Sequence, residues 1–140
     1  MSMTTSPRRI DELDAVTCRS LLASASLGRI AVTVDALPVI LPVNYALDGD
    51  TIVIRTVQGT KLDAATRHQV AAFEVDDVNP ETGDAWSVLV RGMTSEITDR
   101  AELAALGRLG LEAWGTGAAA DHFVRVDLSI VTGRRVRAAS

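Results

Sequence analysis

The sequence has few of the residues that build disulfide frameworks, cysteine metal sites or aromatic clusters. Cys18 is the only cysteine among 140 residues. No disulfide and no multi-cysteine zinc site can therefore form within one chain. This cysteine usage fits a reducing compartment, so we expect a cytoplasmic protein. Aromatic side chains make up only 4% of the residues, so the few that occur can each be considered individually.

The sequence also lacks an excess of positive charge and a long apolar run. The formal net charge is −4, and because cations supply most non-specific affinity for nucleic acids, we expect no nucleic-acid partner. The longest apolar stretch, residues 36–47, is interrupted by Pro38, Pro42 and Asn44. It is too short to cross a bilayer, so we expect no membrane partner.

What remains is the composition of an ordinary globular domain, with 47% hydrophobic and 23% charged residues. The length suits about one domain and suffices to bury a core without disulfides. We predict a flexible tail at residues 1–9 and a single domain over residues 10–137.

Hydrophobic alternation predicts six strands, and capping patterns predict three helices. Asp48-Gly49-Asp50 is typical of a hairpin turn, and the prolines of the second strand favour an edge or a bulge. Gly92 indicates a bulge or a kink in the fifth strand. The predicted strands cover residues 30–34, 39–47, 51–56, 71–75, 86–97 and 123–131. The predicted helices begin at Asp11, after Gly59 and at Asp99, the first ending near Gly28 and the last near Trp114. This pattern predicts an α+β fold, an antiparallel six-stranded barrel with flanking helices.

The segment from Arg55 to Lys61 contains the components of an anion site. Arg55 and Lys61 supply positive charge, Thr56 and Thr60 supply hydroxyl groups, and Gly59 allows close backbone approach. The segment joins a predicted strand to a predicted helix, whose first amides favour an anion. The alternative is an exposed loop with two ordinary cations, and the local sequence favours neither interpretation.

Other reactive side chains give no comparable pattern. His68 and His122 have no second histidine, paired carboxylate or cysteine at ligand spacing, so we expect no metal site and interpret both as solvated or capping residues. Cys18 is expected to pack in or near the core. No catalytic residue can be assigned.

Five short motifs together resemble the pyridoxamine 5′-phosphate oxidase-related family. Their order and spacing over about residues 13–135 are most similar to the short actinobacterial flavin-nucleotide-binding branch. The motifs are Gly28-Arg29-Ile30-Ala31, Pro42-Val43-Asn44-Tyr45, the segment from Ile54 through Lys61, Trp86-Ser87-Val88-Leu89-Val90-Arg91-Gly92, and Thr132-Gly133-Arg134-Arg135. The resemblance implies an FMN-binding split β-barrel that forms a homodimer with the cofactor at the interface.

By position, the resemblance implies that Arg55, Thr56 and Lys61 hold the FMN phosphate, in the segment that includes Gly59 and Thr60. It further implies that the isoalloxazine edge lies along Val43, Asn44 and Tyr45, and that Trp86 and Ser87 approach the flavin, often from the partner subunit. From the residues alone, a core or dimer contact is favoured over a flavin contact for Trp86. The amide of Asn44 needs partners that a flavin or a neighbouring backbone can supply.

The expected function is that of an FMN-dependent oxidoreductase acting on a small molecule that the sequence does not identify. A flavin supplies its own redox chemistry, which suits a sequence without an evident catalytic triad. Two alternatives stay open: a non-catalytic flavin or deazaflavin carrier or sensor, and a deazaflavin-dependent reductase.

Overall fold

The computed structural model describes residues 8–111 and 121–138, and the part of the chain that it describes contains eight strands and three helices. In chain order these are β1 Arg9–Glu12, α1 Ala15–Ser24, β2 Leu27–Val34, β3 Leu37–Asp48, β4 Thr51–Val57, α2 Lys61–Ala65, β5 Val70–Val78, β6 Ala85–Glu96, α3 Arg100–Gly107, β7 Asp121–Asp127 and β8 Ile130–Arg137. Within these residues, none of the helices is both long and apolar enough to span a bilayer.

Six strands close into an antiparallel barrel in the order β6-β5-β2-β3-β4-β7, with β7 pairing back onto β6. The first part of β6, Ala85–Arg91, pairs with β8, and its last part, Thr94–Glu96, pairs with β7. Strand β8 in turn pairs with β1. The sheet therefore combines a closed barrel with a two-stranded extension, which confirms the predicted six-stranded barrel.

Gly92 lies at the point along β6 where the pairing partner changes from β8 to β7. There is no space for a side chain at this position. The ladder to β5 runs through Ala71↔Gly92 without a break, so no bulge interrupts this pairing, and the strand instead changes its partner on the other side at Gly92. A Cβ at this position would lie 1.9 Å from the backbone oxygen of Asp127. The glycine lets the β7–β8 connection cross close to β6.

Alternation along the strands builds two apolar clusters. The first lies inside the barrel and includes Ile30, Phe73, Val88 and Val90, all fully buried. The second lies on the outer side of β4 and β7, beneath α3. Its buried members are Val53, Ile97, Leu106, Leu111 and Phe123. The second cluster holds α3 against the barrel and brings Leu111 close to the end of β4.

The N-terminal prediction was wrong in its boundaries. The predicted helix was to begin at Asp11, but residues 9–12 form β1, and the Asp14 side chain caps α1 by accepting from the Thr17 N–H at 2.8 Å. A four-residue strand is too short to show alternation, so pairing with β8 decides its structure. Most of the predicted tail, residues 1–7, lies outside the described residues.

Three later predictions also need correction. The predicted strand 123–131 is a hairpin of β7 and β8, whose turn contains no glycine or proline to mark it. Strand β5 continues to Val78, beyond the end of the predicted strand 71–75. Helix α3 is capped by Asp99 as predicted but ends at Gly107. Residues 108–111 lie beyond the helix, and the last part of the predicted length, with Trp114, falls outside the described part of the chain.

Candidate functional site

A cleft opens where β3 and β4 separate. The two strands pair only between Tyr45–Asp48 and Thr51–Ile54. Before Tyr45, β3 continues along β2, whereas beyond Ile54, β4 continues along β7. The cleft has a volume of about 290 Å³ and is lined by Leu41, Pro42, Val43, Arg55, Thr56, Val57, Thr60 and Leu62. Both prolines of β3 lie on the stretch that has a strand partner on one side only, which confirms the predicted edge character.

Arg55 enters the cleft from the outer face of β4. Its Nη1 donates to the backbone oxygen of Leu111 at 3.0 Å, and its guanidinium carbon lies 5.4 Å from the ring centroid of Phe123, its neighbour on β7. These contacts hold a positive charge at the wall of an otherwise mainly apolar cleft. A guanidinium has five N–H donors, so it can bind a carbonyl and an anion together.

The turn between β4 and α2 forms another wall. Gly59 adopts a φ of +83°, a left-handed conformation that favours glycine. Thr60 caps α2 by accepting from the Asp63 N–H at 3.1 Å, and its hydroxyl donates to the Val57 oxygen at 2.7 Å. The predicted short helix after Gly59 and its Thr60 cap are therefore confirmed, but the Asp63 side chain accepts from the Gly59 N–H rather than from the Thr60 N–H of an ideal capping box.

Asp63 is a buried carboxylate directly behind this turn, with only 4% of its side chain exposed. It accepts hydrogen bonds from the Thr56 hydroxyl at 2.9 Å, the Gly59 N–H at 3.2 Å and His122 Nδ1 at 2.8 Å. Arg67 lies at 3.3 Å as a further partner. Burial raises the pKa of Asp63, but the hydrogen bonds from His122, Thr56 and Gly59 outweigh burial and hold that pKa below its ordinary value.

The sequence did not indicate this pairing of Asp63 with His122. The residues are 59 positions apart, and only the β4–β7 ladder, which places His122 opposite Thr56, brings them together. His122 was predicted to be solvated or capping, but it lies between two carboxylates, with Nε2 at 3.5 Å from Glu96. The capping pattern showed that Asp63 begins a helix but gave no sign of the histidine.

We expect the protein to lose stability in acid partly through Asp63. A carboxyl whose pKa is lower in the folded state stabilises the fold at pH values above its unfolded pKa, about 3.9, and this contribution is lost as the pH falls through the folded pKa. Urea unfolding at pH 7, 5 and 3 measures the effect. The variant Asp63→Asn should be less stable at pH 7 but show a smaller further loss below pH 4. An identical acid loss in both proteins would contradict this assignment.

Lys61 and Gly59 contribute to the turn but do not line the cleft. The Lys61 ammonium lies 3.8 Å from the Asp35 carboxylate, beside a different cavity, and both side chains are highly exposed. Such a pair contributes little to stability because solvent screens it. The long side chain of Lys61 is therefore not fixed in one place.

The three predicted residues of β3 have different surroundings. Val43 is buried and lines the cleft. Tyr45 is buried in the core, where its hydroxyl donates to the Leu22 oxygen and its ring meets Phe73 edge-on at 4.7 Å between centroids. Burial raises the pKa of Tyr45 to about 12. Asn44 and Tyr45 border a second cavity of about 330 Å³, formed with residues 109–111.

Trp86 and Ser87 lie away from the cleft within the chain. They belong to β6, which is separated from β3 by β5 and β2. Trp86 borders an open groove of about 770 Å³ together with Arg135 and Arg137, while Ser87 faces a different groove with Arg134. One chain therefore brings together Val43, Arg55, Thr56 and Thr60 at the cleft, but not Trp86 or Ser87.

The remaining candidates are accounted for without a metal site. Across residues 8–111 and 121–138, no cluster of three or more histidine, cysteine, aspartate or glutamate side chains is arranged to hold a metal ion. Cys18 is buried, as predicted, and a Cβ on Gly133 would lie 2.6 Å from its Sγ. His68 is exposed.

Comparison with known proteins identifies the family. Residues 14–135, which include both sides of the cleft, match the family model described as pyridoxamine 5′-phosphate oxidase. The chain belongs to the pyridoxamine 5′-phosphate oxidase family. The family resemblance noted in the sequence motifs is thereby confirmed.

Relatives of this pyridoxamine 5′-phosphate oxidase family member include proteins of similar length. An uncharacterized protein of Mycobacterium tuberculosis, Rv0080, is 37% identical, covering 96% of this chain and 91% of its own. The structure of the FAD binding protein from Mycobacterium smegmatis superimposes with a TM-score of 0.76 at 39% identity, over 90% of this chain and 97% of that one. A FAD-binding protein from Mesorhizobium loti gives a TM-score of 0.73 at 25% identity, over 94% and 99%.

Proposed function

We propose that this protein binds a flavin nucleotide in the β3–β4 cleft and is an oxidoreductase, which uses the bound flavin to oxidise or reduce a small molecule. The observation that carries the proposal is the position of Arg55. Its charged guanidinium is fixed at the wall of a cleft whose other sides include Leu41, Val43 and Leu62. An apolar slot with one fixed cation suits a ligand that has a flat aromatic body and a phosphate.

The coenzyme class is supported by the relatives. Two solved relatives, at 39% and 25% identity, are described as FAD-binding. FMN and FAD share the isoalloxazine, the ribityl chain and its phosphate, and we assign that shared phosphate to Arg55. Thr60 borders the same cleft, and Lys61 can add a second charge by leaving its exposed contact with Asp35.

The remaining predicted contacts complete the proposal. Val43 would form the wall beside the isoalloxazine and Asn44 would offer its amide to the ring edge, while Tyr45 would support them from the core. Trp86 and Ser87 would reach the coenzyme from a second copy of the chain in a homodimer. The bound flavin would supply the redox chemistry, and the chain would orient the ring and exclude water from one side of it.

The absorbance spectrum of the purified protein tests the proposal most directly. We expect a flavin spectrum, or a gain in thermal stability when FMN or FAD is added, and mass analysis of the released molecule identifies the coenzyme. Bleaching by a reduced nicotinamide, followed by reoxidation with an acceptor, would support the oxidoreductase. Tight binding without turnover would indicate a carrier or sensor. If the released molecule is a deazaflavin, the coenzyme is assigned as a deazaflavin instead. A colourless protein that gains no thermal stability from FMN or FAD would refute flavin binding.

A further inference from the structure

Asp63 connects four elements immediately behind the cleft. Its carboxylate receives hydrogen bonds from Thr56 on β4, Gly59 in the following turn and His122 on β7, while Arg67 after α2 adds a positive charge. Two of these partners lie between Arg55 and Lys61. The carboxylate therefore fixes the backbone of the same segment that we assign to phosphate binding.

Thr56 shows how closely the contacts of Asp63 constrain the segment from Arg55 to Lys61. Its side chain lies at the cleft but is only 1% exposed, and a hydroxyl has a single proton to donate. An ionised carboxylate can only accept, so the contact of 2.9 Å commits that proton to Asp63. The Thr56 hydroxyl is therefore unable to donate to a phosphate while it is bound to Asp63.

The charge of Asp63 gives a second indication. A carboxylate close to a phosphate repels it unless hydrogen-bond donors and cations compensate the charge. Here the donors surround the buried carboxylate, and His122 is itself held on its other side by Glu96, 3.5 Å from Nε2. This arrangement directs the negative charge of Asp63 inward, away from the cleft wall.

We propose that Asp63, locked by His122, is the positioning residue of the phosphate pocket, and that Thr56 acts through Asp63. This inference rests on the proposed function. Asp63 holds the Gly59–Thr60 turn and the end of β4 in the conformation that receives the phosphate, so that binding requires little rearrangement. His122 keeps the carboxylate in place by donating from Nδ1, and it does not line the cleft.

The ratio of the riboflavin dissociation constant to the FMN dissociation constant tests this role, because the two ligands differ only in the phosphate. In the wild-type protein we expect FMN to bind more tightly. Asp63→Asn should lower the ratio about tenfold, the loss expected when the hydrogen bonds that set one charged contact are weakened. A purely structural role would instead weaken both ligands in parallel and leave the ratio unchanged.

A pair of variants at His122 keeps the test decisive if Asp63→Asn does not fold. His122→Leu removes the donor to Asp63 and should lower the ratio, whereas His122→Asn offers an amide N–H near the position of Nδ1 and should restore most of it. An unchanged ratio in His122→Leu, or a ratio that falls equally in both variants, would overturn the inference. Failure of the proposed function shows separately, since the wild-type protein would then bind neither ligand or bind both equally.

Discussion

Replacing Arg55 by alanine is expected to weaken FMN binding about 100-fold while leaving riboflavin binding nearly unchanged. Hydrogen bonds to charged groups contribute about 1.5–3 kcal/mol, and a guanidinium that grips two phosphate oxygens lies at the upper end of that range. Arg55 is the charged group that borders the cleft. Riboflavin lacks the phosphate, so its dissociation constant should not change. Fluorescence titration of the apoprotein with each ligand measures both constants.

Two further variants separate the charge of Arg55 from its structural contacts. Arg55→Lys keeps the charge but not the planar fork, so FMN affinity should fall to an intermediate value. Arg19→Ala serves as a matched control, because Arg19 is an exposed arginine that pairs with Asp50 and does not line the cleft. If Arg55→Ala weakened riboflavin and FMN equally, or changed neither, the phosphate would have to bind elsewhere.

Replacing Gly92 by alanine is expected to destabilise the protein by about 3 kcal/mol, because overpacking against a rigid neighbour forces the backbone to move. The new Cβ would meet the Asp127 backbone oxygen at 1.9 Å and the Ser129 hydroxyl at 3.3 Å. Neither β6 nor the β7–β8 connection can move alone, since β6 is paired on both sides. Urea unfolding followed by circular dichroism gives the free energy of unfolding.

Gly107→Ala is the matched control for this experiment. Gly107 ends α3, and a Cβ there would have no atom within 4 Å. Alanine favours a helix by about 1 kcal/mol over glycine, so this variant should be neutral or slightly stabilised. Equal stability of Gly92→Ala and the wild-type protein would show that β6 and the β7–β8 connection do not approach so closely.

The parts of the fold that the sequence predicted are those controlled by local patterns. Alternation located β2, β3, β5 and β6 because each has a buried face and a more exposed one. Strand β4 is buried on both faces at Ile52–Ile54, and the Asp48-Gly49-Asp50 turn located it by fixing the β3–β4 hairpin. The division of residues 121–137 into β7 and β8 had no such marker, because the connecting residues Leu128 and Ser129 include no glycine or proline. The chain divides there because β7 pairs with β4 and β8 pairs with β1.

The candidate site also contains some residues that a local pattern in the sequence could indicate and others that it could not. Arg55, Gly59 and Thr60 could be found because they lie in one short segment with a capping pattern. The cleft itself depends on β3 leaving β4 at Tyr45, which no local pattern shows. His122 depends on the β4–β7 register, and the direction of Lys61 depends on a contact with the β2–β3 turn. Such long-range effects are set by topology rather than by residue spacing.

The separation of β3 from β4 has a consequence for how the barrel can diversify. Barrel closure uses Tyr45–Asp48 with Thr51–Ile54, whereas the cleft uses residues 41–43 and 55–57 of the same two strands. Substitutions of Leu41, Arg55 and Val57 would change the shape and charge of the cleft without touching the buried Thr56–Asp63 contact or the hydrogen bonds between β3 and β4. One scaffold can thus accept different ligands at a small cost in folding free energy, because recognition and closure occupy successive lengths of a single strand pair.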